Sequence, residues 1–255
     1  MKLKYPAEAF ALGILMFSAG MKEAFSAGIL VILAVVSAEF LKNLLEPCVP
    51  EWSWKGCVYV GTAAVCGGTF LVGFTFLGIG MEPGLWIMTF LIGLLAAKYV
   101  VNGELQAEYG ELFWETALIW GFWVLLAAVR EFCGTGEVFG KLLMEPEFRS
   151  RKILDITFAF LTAGLALAFT NGVLKKKSTD TNSLLVMIPA VIYARPFVLD
   201  GGGELVSLIW TIAVPLILFL SVKRTLRFSR TGAAFRGLPA EMLSMGFIYM
   251  ILSIY

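Results

Sequence analysis

Apolar residues gather in nine runs, at about 8–20, 25–41, 56–78, 84–101, 112–129, 154–174, 184–199, 205–222 and 241–254. Most approach the roughly 20 residues that carry an α-helix across a hydrocarbon core. The pattern predicts an all-α polytopic membrane protein of about nine segments. Segments one, four and seven are short and interrupted. The first carries Gly13 and Gly20, and the fourth holds Gly93 and runs into Lys98. The seventh, "LLVMIPAVIYARPFVL", contains Pro189, Arg195 and Pro196. Proline removes a backbone donor and clashes with the preceding turn, so this segment is expected to be kinked or broken. Broken backbone survives at membrane depth only where protein or a water-filled cavity covers it. Segments one, four and seven are therefore expected inside the bundle.

The pattern also repeats. "GELFWETALIWGFWVLLAAVREF" begins at Gly110 and "GELVSLIWTIAVPLILFLSVKRTL" at Gly203. Both end on a valine and a charged pair, Val129-Arg130-Glu131 and Val222-Lys223-Arg224. A broken segment precedes each, and a glycine-bearing segment follows, so the unit is three segments long. An odd number of crossings makes successive units point opposite ways, a transporter-like plan of inverted repeats with discontinuous helices.

Composition agrees with the pattern. The 255 residues are 59% hydrophobic and 15% charged, with mean hydropathy +0.84; a soluble domain carries about 25% charged residues. The lipid bilayer is the partner this implies. A net charge of +1 argues against nucleic acid, which needs a basic patch. Met1-Lys2-Leu3-Lys4 leads into the first run without a cleavage site before a polar domain, which reads as an uncleaved first helix. The chain has no histidine, which excludes His-ligated haem, His-zinc sites and Ser-His triads. Cys48, Cys57, Cys66 and Cys133 form no CxxC pair. Cys48 and Cys57 flank a short loop that could hold a disulfide in an oxidising compartment; free cysteines are the simpler reading.

Cations set an orientation. Lys2 and Lys4, Lys175-Lys176-Lys177, and Lys223, Arg224, Arg227 and Arg230 fall on one side if every segment crosses once. The positive-inside rule makes that side cytoplasmic, with the N-terminus inside. The link 131–153, on the other side, carries Lys141, Arg149, Arg151 and Lys152 against this trend.

Charge within the runs is the usual pointer to function in a membrane protein. Arg195 and Lys98 are the candidate intramembrane charges, beside Glu39 and Glu115 near segment ends. Interfacial snorkelling is the simpler account of Lys98, Glu39 and Glu115, and an inward ion pair that of Arg195. The small residues of "GTAAVCGGTFLVGFTFLGIG" (61–80) fit close helix packing. No phosphate-loop or dinucleotide fingerprint occurs, and "DGGGE" (200–204) reads as a turn.

One stretch, "ALIWGFWVLLAAVREFCGTGEVFG", resembles the membrane subunits of the Rnf/Nqr electron-transport family. That family carries an apolar helix ending in Arg-Glu, a Gly-x-Gly turn and an aliphatic-Phe-Gly. Here these are Arg130-Glu131, Gly134-Thr135-Gly136 and Val138-Phe139-Gly140, with Glu111 matching the acid that opens the helix. Residues 1–177 resemble an RnfE/NqrD-like six-segment domain. Within a second domain, 178–255, residues 183–255 look like the second half of an RnfA/NqrE-like subunit. The resemblance implies a three-segment inverted-repeat fold, the cytoplasmic membrane of a prokaryote, and as partners other Rnf/Nqr-like subunits or a second copy of the chain.

The family holds a [2Fe–2S] cluster on cysteines of its first and fourth helices. Those positions are occupied here by Leu15 and Leu94, and by Arg195 in the C-terminal unit. Clusters of this kind need thiolate. The cluster is therefore expected to be lost, no catalytic residue, metal ligand or cofactor is assigned, and the chain is at most a non-catalytic subunit of a redox-driven ion translocase. The alternative is a small transporter or channel using an inverted-repeat cavity.

Overall fold

The computed structural model describes residues 5–103, 109–144, 149–175, 182–195, 203–225 and 232–252. It is an all-α bundle: α1 (Ala7–Phe17), α2 (Met21–Leu45), α3 (Glu51–Phe76), α4 (Pro83–Asn102), α5 (Tyr109–Thr135), α6 (Ile156–Leu174), α7 (Leu184–Ala194), α8 (Glu204–Thr225) and α9 (Leu238–Leu252). Two 3-10 turns and a two-stranded hairpin, β1 (Glu137–Val138) and β2 (Lys141–Leu142), complete it. Among the described residues six helices are long and apolar enough to cross a membrane: α2, α3, α4, α5, α6 and α8. The short ones are α1, α7 and α9.

Segment four is thus a correction. It is a continuous 20-residue helix, not an interrupted one. Its Gly93 does not break it, because an isolated glycine costs a helix only about 1 kcal/mol. The residue instead lets two helices meet. A Cβ there would lie 2.8 Å from the Ala63 Cα and 2.8 Å from the Cys66 Cβ of α3. Segment nine forms a 15-residue helix that begins at Leu238, three residues before its apolar run. Segment seven does stop early. α7 ends at Ala194, with Arg195 in a left-handed conformation (φ 38°) as its C-cap.

α1 is the enclosed element. Every residue of it but Met16 is buried, and α2, α4, α6 and α7 pack around it. α2 shows the complementary pattern. Phe25, Ile29, Leu33, Val36, Phe40 and Leu44 form an exposed stripe at helical spacing, while Ala24, Ala27, Val31, Ala34 and Ala38 face inward. An apolar stripe of that kind on a spanning helix suits lipid, and the small inner residues let neighbouring backbones approach. α6 and α9 use the same device reciprocally: Gly164 lies under Leu243, and Gly246 under Leu161.

Lysines at the ends of α2 join it to its neighbours. Near the start of α2, Lys22 Nζ donates to the Leu77 carbonyl that closes α3. Near its end, Lys42 Nζ donates to the carbonyls of Val100 and Gly103, at 3.2 Å each, where α4 finishes. A cation at a helix C-terminus satisfies orphan carbonyls and complements the dipole. These contacts define two ends of the bundle. The upper end gathers the close of α1, α3 and α5 and the start of α2 and α6. The lower end gathers the start of α1 and α7 and the close of α2 and α4.

The sequence repeat is not matched by equal surroundings. α5 packs against α2, α6 and the hairpin, whereas α8 packs on α7 and α9 and leaves Leu205, Ile209 and Ile217 broadly exposed.

Candidate functional site

Polar chemistry inside this bundle is concentrated at its two ends. The upper centre is built by α5. Its apolar run does not stop at the charged pair. The helix continues through Arg130, Glu131 and Gly134 to Thr135, because both side chains are buried and find hydrogen-bond partners. The inner stripe Leu112, Glu115, Ile119, Trp123 and Ala127 points into the core and leads directly to Arg130.

Arg130 is 5% exposed. Its Nε donates to the Ile153 carbonyl at 3.1 Å and one terminal nitrogen to the Asp155 carbonyl at 3.1 Å. The other donates to the Ser18 hydroxyl. The guanidinium therefore ties the end of α1 to the entry of α6. A rigid planar fork with several donors is suited to such multiple acceptors.

Glu131 works in the opposite sense. One carboxylate oxygen accepts from the Met21 amide at 2.7 Å. Met21 is the first residue of α2, and its N-cap is Gly20, which has no side chain to offer. A carboxylate from another helix supplies the missing cap and meets the positive end of the dipole. Glu131 also accepts from the Phe139 amide at 3.3 Å and the Gly140 amide at 2.7 Å. Those two residues form the hairpin turn, with φ of 58° and 70°. A two-residue turn with both φ positive matches the twist of a hairpin, but phenylalanine resists that conformation. Binding both amides of the turn holds it in place. Gly136 has φ 79° and turns the chain out of α5. Gly134 packs under Leu154, where a Cβ would come within 2.6 Å.

The lower centre lies on α1. Glu8 is buried in its first turn. Both of its oxygens accept from Lys98 Nζ of α4, at 2.8 and 2.7 Å. The Asn182 amide, two residues before α7, donates to the same carboxylate at 2.5 Å. The Asn182 side chain in turn accepts from the Leu184 amide at 3.2 Å and caps α7. One carboxylate thus meets three helices. Glu39 of α2 and Glu115 of α5 are further buried acids, and Tyr5, three residues before Glu8, is fully buried. The Tyr5 hydroxyl is fully enclosed with no hydrogen-bond partner among the described residues.

The residues singled out by sequence separate into these centres and away from them. Arg130, Glu131, Gly134 and Gly136 come together in the upper one. Lys98 belongs to the lower one as a salt-bridge partner. Arg195 lies elsewhere, exposed at the end of α7. Leu15 is buried in α1 and Leu94 half-buried in α4. Glu111 sits in the first turn of α5, half-buried. Sequence reasoning missed Glu8, Ser18 and Asn182. Glu8 alone carried a signal, as the single carboxylate in "AEAFALGILMF"; its partner is 90 residues away.

A cluster at the family's ligand positions does not fit this donor set. Leucine side chains have no lone pair, and Arg195 is a cation. All four cysteines are free; Cys48 and Cys57 are exposed and Cys66 is buried. Among the described residues no group of three or more Cys, Asp or Glu is placed to hold a metal ion. No family model, curated protein or solved structure matches this chain.

Proposed function

We propose that this chain is a divergent integral-membrane subunit of the Rnf/Nqr kind, associated with or descended from an ion-translocating electron-transport complex and carrying no iron–sulfur cluster of its own. The observation that carries this reading is the upper centre. The residues on which the resemblance rests, Arg130, Glu131, Gly134, Gly136, Phe139 and Gly140, form one connected junction of α1, α2, α5 and α6. A motif used this way is kept by the fold itself, so it marks lineage even where redox ligands are gone. The three-segment units, with 1–177 as one domain and 178–255 as a half unit, belong to the same proposal.

Purification in mild detergent tests it. Flavin- or iron-bearing membrane subunits are expected to co-purify, with iron that follows them and not this chain. A chain that purifies alone, and moves a solute in reconstituted vesicles, supports the transporter reading instead. A stoichiometric iron–sulfur spectrum from the isolated chain would overturn the loss of the cluster.

The proposed orientation places the lower end in the cytoplasm of a prokaryote. Cys48, free and exposed in the link between α2 and α3, reports on it. With Cys57 and Cys133 replaced by serine, a membrane-impermeant maleimide is expected to label Cys48 in inside-out vesicles and not in intact spheroplasts. The reverse pattern inverts the topology.

A further inference from the structure

α1 is fastened at both ends, in different ways. At the upper end Arg130 donates to the Ser18 hydroxyl, and Glu131 accepts from the Met21 amide that opens α2. At the lower end, among the described residues, the side-chain ties of α1 run through one carboxylate, Glu8, which meets Lys98 of α4 and the amide of Asn182, two residues before α7. Pairing of this sort is not the cheapest way to hold helices together. Two charges withdrawn from water recover little over a well-packed apolar pair, so an ion pair is weak evidence for stability. What it offers is a contact that can be made and broken by charge. Lys98 stands four residues before the end of α4 and its side chain is 28% exposed, while that of Glu8 is 9% exposed. The ammonium is thus a tethered cation, reachable from the lower face, sitting on an enclosed anion. Tyr5, fully buried, precedes Glu8 by three residues, and Tyr99, half-buried, follows Lys98 directly.

We propose that Glu8–Lys98 is an ionic latch that holds the lower ends of α1, α4 and α7 together, and that its release gives water access along α1. Release frees the start of α1 and the start of α7 together, since both are held by the same carboxylate. The upper ties stay intact, so α1 swings from its Ser18 end. The inference stands whether or not the chain belongs to an electron-transport complex.

The test reads access to α1 from the lower face. Ala11, one turn beyond Glu8, is fully buried. Ala11→Cys, in the full chain with its four native cysteines replaced, is placed in vesicles that expose the lower face to an impermeant maleimide. With Glu8 and Lys98 present the thiol is expected to be protected. In Glu8→Gln/Lys98→Met, which removes both charges at similar volume and leaves none unpaired, labelling is expected to be at least tenfold faster, with an unchanged melting temperature. Protection of Ala11→Cys in the neutral double variant equal to that of the parent would overturn the latch, leaving the pair a structural contact.

Discussion

Arg130→Ala is expected to destabilise the protein by about 3 kcal/mol, because it removes three charge-assisted hydrogen bonds and unties the end of α1 from the entry of α6. The buried Ser18 hydroxyl and the Ile153 carbonyl lose this donor, while the Asp155 carbonyl keeps the Phe158 and Ala159 amides. Arg130→Lys should recover only part of this, since one ammonium cannot reproduce a planar fork. Arg149, exposed on the same side, is the control; Arg149→Ala is expected to stay within about 0.5 kcal/mol. Thermal unfolding in detergent measures all three. If Arg130→Ala melts with Arg149→Ala, the upper centre does not hold the fold. Glu131→Gln should follow Arg130→Ala in direction. It replaces one of two accepting oxygens with a donor that faces backbone amides.

Gly93→Leu is expected to be the most disruptive single change in the apolar core. Even a Cβ at this position would press on α3 backbone: the Ala63 Cα at 2.8 Å and the Thr62 carbonyl oxygen at 3.0 Å. Backbone atoms of a packed helix cannot turn aside as a side chain can. Overpacking of this kind costs about 1–3 kcal/mol or more, and α3 and α4 must separate along their length. Gly121 supplies the comparison, since a Cβ there meets nothing within 4 Å. Gly121→Leu adds apolar surface on the lipid side and is expected to be neutral. Equal yields and melting temperatures for the two would show that the α3–α4 crossing is looser than described.

Much of the bundle was legible in the sequence, because hydropathy alone decides what can sit in lipid. Each apolar run contains a helix among the described residues, and six of those helices are long and apolar enough to cross. What misled were the interruptions. Lys98 and Gly93 read as breaks in segment four, yet the lysine is neutralised by Glu8 and the glycine is a contact. Arg130-Glu131 read as the end of a helix, yet the helix runs on because both side chains are satisfied. In each case the deciding partner lies far along the chain: Glu8 is 90 residues from Lys98, and Ser18 is 112 from Arg130. Local pattern carries no information about such pairings. The charged positions could be found from sequence; their roles could not.

The two lysines of α2 act as a calliper. Lys22 and Lys42 each bind the closing carbonyls of a neighbouring helix, so both are fixed at the rims of the bundle. Twenty residues of α-helix at 1.5 Å each set the rims about 30 Å apart, close to the thickness of an average hydrocarbon core. α3 ends against one jaw and α4 against the other. The apolar girdle of the protein is thereby set by a single helix, and a bilayer of different thickness must deform to meet it or tilt the bundle.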